Sequence, residues 1–449
     1  MSIAAPLSVN GRYIVDAHGK RVRLAGVNWF GAHEDFGVVT GLHRVHRWAL
    51  AEYVASLGFN SVRLPFSLSM LSQTTPVPDY CLAANADLEG KTPLEIYDAC
   101  VEALTAAGLI VIPNCHLLDR GWCCANDDQN GLWFNEAWTA AQFTAGWQTI
   151  TTRYRSNALV AAMDIKNEPR PATLNGTTLT PSWGNGSQTD FQAMYTATGN
   201  AIHEIDPDVL IICEGLSYAG DLTGVETHPV VLTKPGKVVY SMHDYPWYHA
   251  ANQAQAAYSA QMNKAGGYLL AGQVAPVWLG EFGIDEGGMA NFGLGPTSQA
   301  GNAATGVWWK NIHAWLTQTD ADWCWWGLNA QHPQGTTPNT GKLQFNWGDR
   351  AGESVLSADW AGVANPAVLE QLQDIMTAHQ GPGVKVPPTG GTPAGGTPTG
   401  SKPPTGGTPP SDPPPRVPTP APSPTPTPSP TPSPELGPVE QVPPIYEAP

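Results

Sequence analysis

Eight short apolar runs recur along the chain, at Val22–Phe30, Phe59–Pro65, Leu109–His116, Leu159–Glu168, Val209–Glu214, Lys237–His243, Pro276–Glu281 and Asp322–Leu328. Between them lie longer amphipathic stretches, among them His46–Leu57, Pro93–Ala107, Ala137–Tyr154, Phe191–Ile205 and Val307–Thr317. Strand and helix patterns in alternation predict a parallel α/β architecture, and eight is the number that closes a (β/α)8 TIM barrel. A doubly wound open sheet is the main competitor. It would carry a glycine-rich phosphate cradle after its first strand, and Gly26-Val27-Asn28 is not one. Ahead of the first run, Gly11–Val22 alternates around Asp16-Ala17-His18-Gly19 and reads as a small hairpin capping one end.

The chain changes character at Gly381. All 17 Trp lie at or before Trp360, and more than half of the 43 Pro lie after Gly381. Residues 1–380 therefore carry the core of one barrel domain, while 381–449 read as a Pro/Thr/Ser/Gly-rich linker or disordered tail. Pro-Ser-Pro-Thr alternation across Ala421–Pro434 fits an extended chain without a core.

A net charge of −16 argues against nucleic acid and anionic membranes as partners. With only 13% charged residues, the surface is rich in Asn, Gln, Ser and Thr, which suits a neutral polyhydroxylated ligand. No apolar run reaches the roughly 20 residues needed to span a membrane. Met1–Leu7 lacks the basic and apolar regions of a signal peptide, so either an export signal has been removed or the protein is not exported. Secretion is the expectation adopted.

The seven Cys fit no zinc spacing, and adjacent Cys123-Cys124 is not a chelating pair. Cys100, Cys115, Cys213 and Cys324 fall in apolar patterns and read as core thiols. Cys81, Cys123 and Cys124 fall in loops and could supply one disulfide.

Active sites of such barrels gather at the C-terminal ends of the strands. Those ends carry Arg63, His116, Asn167-Glu168, His243 with Tyr245, Glu281 and Trp326. Pro169 cannot donate to a ladder, so it is expected to end its strand with Glu168 at the tip. Pro276–Gly280 delivers Glu281 in the same manner. Two strands each ending on a Glu are what a two-carboxylate hydrolase requires. A Glu at a strand end is otherwise an ordinary capping residue, Arg63 an ion-pair partner, and His116 a satisfied core histidine.

Six ordered motifs decide between these readings: Ala25–Gly31, Leu57–Pro65, Asp164–Pro169, His243-Asp244-Tyr245, Trp278–Gly283 and Val355–Trp360. On them the chain, from Leu7 to His379, resembles glycoside hydrolase family 5, most closely bacterial secreted endo-β-1,4-glucanases. The resemblance implies a retaining double displacement on a β-glucan, with Glu168 as acid/base and Glu281 as nucleophile. A negative Glu281 would raise Glu168 and keep it protonated, while Arg63 and Tyr245 would hold Glu281 ionised. Asn167 would bond the sugar 2-hydroxyl, His116 and His243 would orient hydroxyls and the carboxyl pair, and Trp326 would stack on the ring before the cleaved bond. Strand alternation sets Trp323 and Trp325 on one side and Trp326 on the other. Trp122, Trp247 and Trp347 are candidates for further subsites. No metal and no cofactor are expected, and the chain is expected to act as a monomer.

The chain departs from those relatives at His43, at Asn114-Cys115 and in the long loop Asn329–Glu353. These changes bear on distal sugar subsites. Mannan, xyloglucan and mixed-linkage β-glucan are the alternative substrates. A carbohydrate-binding barrel without catalysis is the alternative class, and the intact Glu168 and Glu281 pair argues against it.

Overall fold

The computed structural model describes residues 3–376 apart from residues 122, 125–127, 251, 284–302, 329–332, 335–343, 346–353 and 358. The expected tail 381–449, most of the loop Asn329–Glu353, and Trp122 and Trp347 lie outside the described residues.

The N-terminal residues form a two-stranded sheet of β1 (Ser8–Asn10) and β2 (Tyr13–Val15). Eight strands then close a parallel barrel in the order β3 (Ala25–Asn28), β4 (Ser61–Ser67), β5 (Ile110–Leu117), β6 (Ala162–Asp164), β9 (Leu210–Glu214), β10 (Val238–Asp244), β11 (Val277–Phe282) and β12 (Asp322–Trp325). The remaining pair, β7 (Ala172–Leu174) and β8 (Thr177–Leu179), is an antiparallel hairpin above the barrel wall after β6. Its turn is Asn175-Gly176, both at positive φ, which is the backbone a two-residue hairpin turn needs.

Helices over Arg47–Ser56 (α1), Pro93–Ala106 (α2), Ala140–Tyr154 (α3), Phe191–His203 (α4) and Ala303–Thr319 (α6) follow the named amphipathic stretches, and Gln255–Met262 (α5) and Pro366–Asp374 (α7) are additional to them. Their starts are written locally. The Thr92 N–H and hydroxyl both donate to Glu95 at 2.8 Å ahead of α2, and the Gln142 side chain accepts the Thr139 N–H at 2.8 Å ahead of α3.

Alternation along the strands sorts the apolar residues into two layers. Ile110, Ile112, Leu210, Ile212, Val239 and Trp278 fill the barrel, and Leu7 and Ile14 from the hairpin region close its floor. Val111, Met163, Ile211, Leu279, Trp323 and Trp325 join the larger core outside the barrel. The hairpin differs from its expected form. β1 and β2 turn at Gly11-Arg12, where Gly11 has φ +55°, and Asp16–Gly19 makes a second reversal closed by a Val15–Arg21 bridge.

Toward the strand C-termini the inward positions become polar: Ile112 gives way to Asn114 and His116, Ala162 to Asp164, Ile212 to Glu214, and Val239 to Ser241 and His243. β11 would break this pattern, because Trp278 faces inward and strict alternation would turn Glu281 outward. A bulge corrects it. Met242 pairs with Leu279 but His243 pairs with Glu281, so Gly280 is the extra residue that re-aims Glu281. Only glycine fits there, since a Cβ at Gly280 would lie 2.7 Å from Ser241 Oγ and 3.0 Å from His243 Nε2.

One expected strand is shorter than its apolar run. β6 ends at Asp164, four residues before Glu168, and Glu168 has a left-handed backbone with φ +43°. The pleat therefore stops well before Pro169, and Glu168 is carried on a loop above the barrel wall.

Candidate active site

Arg63 lies at the centre of the polar layer, on β4 and fully buried. Its Nε donates to Asp164 Oδ2 at 2.7 Å. Nη1 donates to Asn28 Oδ1 at 3.0 Å and to Glu281 Oε1 at 2.5 Å. Nη2 donates to Asn167 Oδ1 at 2.7 Å and to Glu214 Oε1 at 3.0 Å. A guanidinium has five N–H groups in a rigid fork, and each one here has an acceptor. The surrounding carboxylates hold Arg63 firmly charged, well above its ordinary value, against the cost of burial.

Glu168 and Glu281 come together around His243. His243 Nδ1 lies 3.0 Å from Glu168 Oε1 and 3.6 Å from Glu281 Oε2. One atom from each of the three residues lies within 4.8 Å of the others. The Tyr245 hydroxyl donates to Glu281 Oε2 at 3.0 Å, so both oxygens of Glu281 are held.

Burial is the main cause of the charge states here. It pushes the Glu168 carboxyl up to about 7, against the opposing pull of Arg170, Arg63 and Lys166. The expected cause, a negative Glu281, is not the leading one. Burial also raises Glu281, with His243 and Arg63 opposing it, so its contacts with Arg63 and Tyr245 do not bring it down to an ordinary carboxylate. Burial lowers His243 to about 4 and drives His116 well below its ordinary value, so both rings are neutral.

His116 Nδ1 bonds to Asn114 Oδ1 at 2.9 Å, and Asn114 Nδ2 donates to Asp164 Oδ2 at 2.9 Å. Asn114, one of the positions where the chain departs from its relatives, therefore orients His116. Asn167 has its oxygen on Arg63, and its Nδ2 faces the sulfurs of Cys123 and Cys124 at 3.6 and 3.8 Å. Those two cysteines form a disulfide, and Cys123 Sγ is 3.8 Å from Glu168 Oε2. Cys81, the third loop cysteine, is buried and free.

Trp326 is 6% exposed and lies parallel to Phe30, with centroids 4.8 Å apart, and to His116 at 5.6 Å. It packs apart from Trp323 and Trp325, which sit in the outer core. Trp247 is 64% exposed and lies flat against the Tyr245 ring, with centroids 4.5 Å apart.

All eight residues singled out from the sequence, Arg63, His116, Asn167, Glu168, His243, Tyr245, Glu281 and Trp326, thus converge at one end of the barrel. Asn28, Asp164 and Glu214 belong to the same network and were not singled out. Glu214 carried a readable signal, since it ends the apolar run Leu210–Cys213 just as Glu281 ends its own.

A family model described as cellulase (glycosyl hydrolase family 5) matches residues 15–332. The chain is 30% identical over 301 residues to an endoglucanase of Paenibacillus polymyxa, a match covering 63% of this chain and 72% of that protein. It is 34% identical over 209 residues to the major extracellular endoglucanase of Xanthomonas campestris pv. campestris, covering 46% of this chain and 40% of that one. Among solved structures, the catalytic domain of the major endoglucanase from Xanthomonas campestris pv. campestris is similar, with a TM-score of 0.65 and 25% identity over 82% of this chain and 99% of that chain. A hyperthermophilic endocellulase from Pyrococcus horikoshii shares the fold, with a TM-score of 0.65 and 24% identity over 84% of this chain and 100% of its own.

Proposed function

The chain belongs to glycosyl hydrolase family 5, and from that premise we propose that it is an endo-β-1,4-glucanase. It cleaves soluble or amorphous cellulose by a retaining double displacement and uses no cofactor. The observation that carries this reading is the Glu168, His243 and Glu281 cluster, whose facing atoms lie within 4.8 Å. Retaining enzymes hold their carboxyls about 5–5.5 Å apart, and inverting ones leave about 6.5–9.5 Å for a water.

In the first step a Glu281 oxygen attacks the anomeric carbon, and the bond to the leaving oxygen breaks as Glu168 gives that oxygen its proton. In the second, Glu168 takes a proton from water, the water oxygen attacks the same carbon, and Glu281 departs as carboxylate. Burial keeps Glu168 protonated near neutral pH, which supports its part as the acid. Arg63 and the Tyr245 hydroxyl bond both oxygens of Glu281, which supports its part as a fixed nucleophile. Asn167, His116 and Trp326 are assigned to the bound sugar, and His243 to the carboxyl pair.

The similarity to proteins named endoglucanases supports cellulose over mannan or xyloglucan. Rates on carboxymethylcellulose, glucomannan and xyloglucan test it, and strong mannan cleavage beside negligible cellulose cleavage overturns it. Proton NMR of the earliest products should show the β-anomer, whereas an initial α-anomer would sink the retaining assignment. Glu281→Gln should abolish cleavage.

Secretion is supported by a relative named as extracellular. Among the described residues no helix is long and apolar enough to cross a membrane. The chain is proposed to act as a monomer, with residues 1–380 as the catalytic domain and 381–449 as a linker or tail. Deleting residues 382–449 should leave activity on soluble substrate unchanged.

A further inference from the structure

We propose that Glu214 is the positioning residue of the acid/base: it fixes the left-handed backbone that aims the Glu168 carboxyl. The inference rests on the reading of Glu168 as acid/base.

Glu214 ends β9 and is fully buried. One of its oxygens, Oε1, accepts from Arg63 Nη2 at 3.0 Å. The other, Oε2, accepts the main-chain N–H of Glu168 at 2.7 Å. That second bond falls where the chain needs support, because Glu168 holds φ +43° and a left-handed backbone is unfavourable for a residue with a Cβ. The carbonyl of the same residue is held by Arg170 Nη1 at 3.1 Å, so Glu168 is gripped on both sides. Glu214 is itself fixed, since the Tyr195 hydroxyl from α4 donates to its main-chain oxygen at 2.9 Å.

The same Oε2 lies 3.6 Å from His243 Nε2, beyond hydrogen-bond reach. Glu214 thus acts on the acid along the backbone.

A group that only pairs with Arg63 would, when lost, slow every substrate alike. A group that positions the acid matters when the leaving oxygen needs a proton. The test compares wild type, Glu214→Gln and Glu168→Ala on aryl β-cellobiosides with phenyl and 2,4-dinitrophenyl leaving groups. Rates are normalised to active sites counted with a 2-deoxy-2-fluoro-β-cellobioside inactivator. Glu214→Gln should lose about 100-fold in kcat/KM, which reports the step that expels the leaving group, on the phenyl substrate and less than about 5-fold on the dinitrophenyl one. Equal losses on both, or none on either, overturn the proposal. If Glu168→Ala shows no such split, the acid/base reading itself fails, a result distinct from a failure confined to Glu214. Should Glu214→Gln give no titratable sites, Glu214→Asp, which keeps a charge near Arg63 but is one methylene shorter, is held to the same split.

Discussion

His243 Nδ1 lies 3.0 Å from Glu168 Oε1, so the imidazole that separates the two carboxyls is in direct contact with the higher-lying acid. Burial lowers His243 to about 4 and raises Glu168 to about 7, so Glu168 is a group of this cluster that titrates near neutrality. Glu168 must hold that proton for the first step. kcat/KM on a soluble substrate should therefore fall as pH rises through about 7, and a profile flat to pH 9 would contradict the assignment.

The same shift bears on stability. The folded carboxyl, at about 7, lies above its unfolded value of 4.5, so folding takes up a proton between them. Its stabilising contribution is complete below pH 4.5 and is lost as pH rises through about 7. The loss by pH 8 is on the order of 3 kcal/mol. Glu168→Gln should gain stability relative to wild type at pH 8 compared with pH 4.5. Urea unfolding at the two pH values checks this, and an equal difference at both would refute it.

Arg63→Lys keeps the charge but offers three donors in place of five. Buried acceptors among Asp164, Asn167, Glu214 and Glu281 would be left unmet. kcat/KM should fall by at least about 10²-fold, and unfolding free energy by on the order of 3 kcal/mol. Steady-state kinetics and chemical denaturation on the same preparation measure both.

Trp247 lies flat on Tyr245 and is 64% exposed, so its removal should cost little stability. A sugar face stacked there would be worth about 0.5–1.5 kcal/mol. Trp247→Ala should raise KM for cello-oligosaccharides several-fold with kcat nearly unchanged, and unchanged KM would exclude the ring from the substrate path.

Eight apolar runs were enough to read the barrel, because strands buried on both faces leave a compositional mark that survives without partners. The catalytic candidates were legible for a related reason, since Glu281 is a charge at the end of an apolar run and Arg63 a charge inside one. The bulge at Gly280 was not legible: period-two alternation from Trp278 points Glu281 away from the site, and only the register with His243 reverses that. The left-handed turn at Glu168 was hidden too, because a Glu carries no sequence mark of positive φ. Asn175-Gly176 does carry such a mark, yet the β7–β8 hairpin it turns was not among the expected elements. Glu214 shows the limit of reading one strand at a time, since its meaning lies in groups that come from β4 and the loop after β6.

Arg63 has no uncommitted donor, and that bears on how the chain can change over time. Asn28, Asp164, Asn167, Glu214 and Glu281 share one rigid cation, so a substitution at any of them alters the conditions for all the others. Single and double variants among these positions should combine non-additively. Successive mutations can explore the rim around Trp247 one residue at a time, whereas this ring can drift only if several members change together.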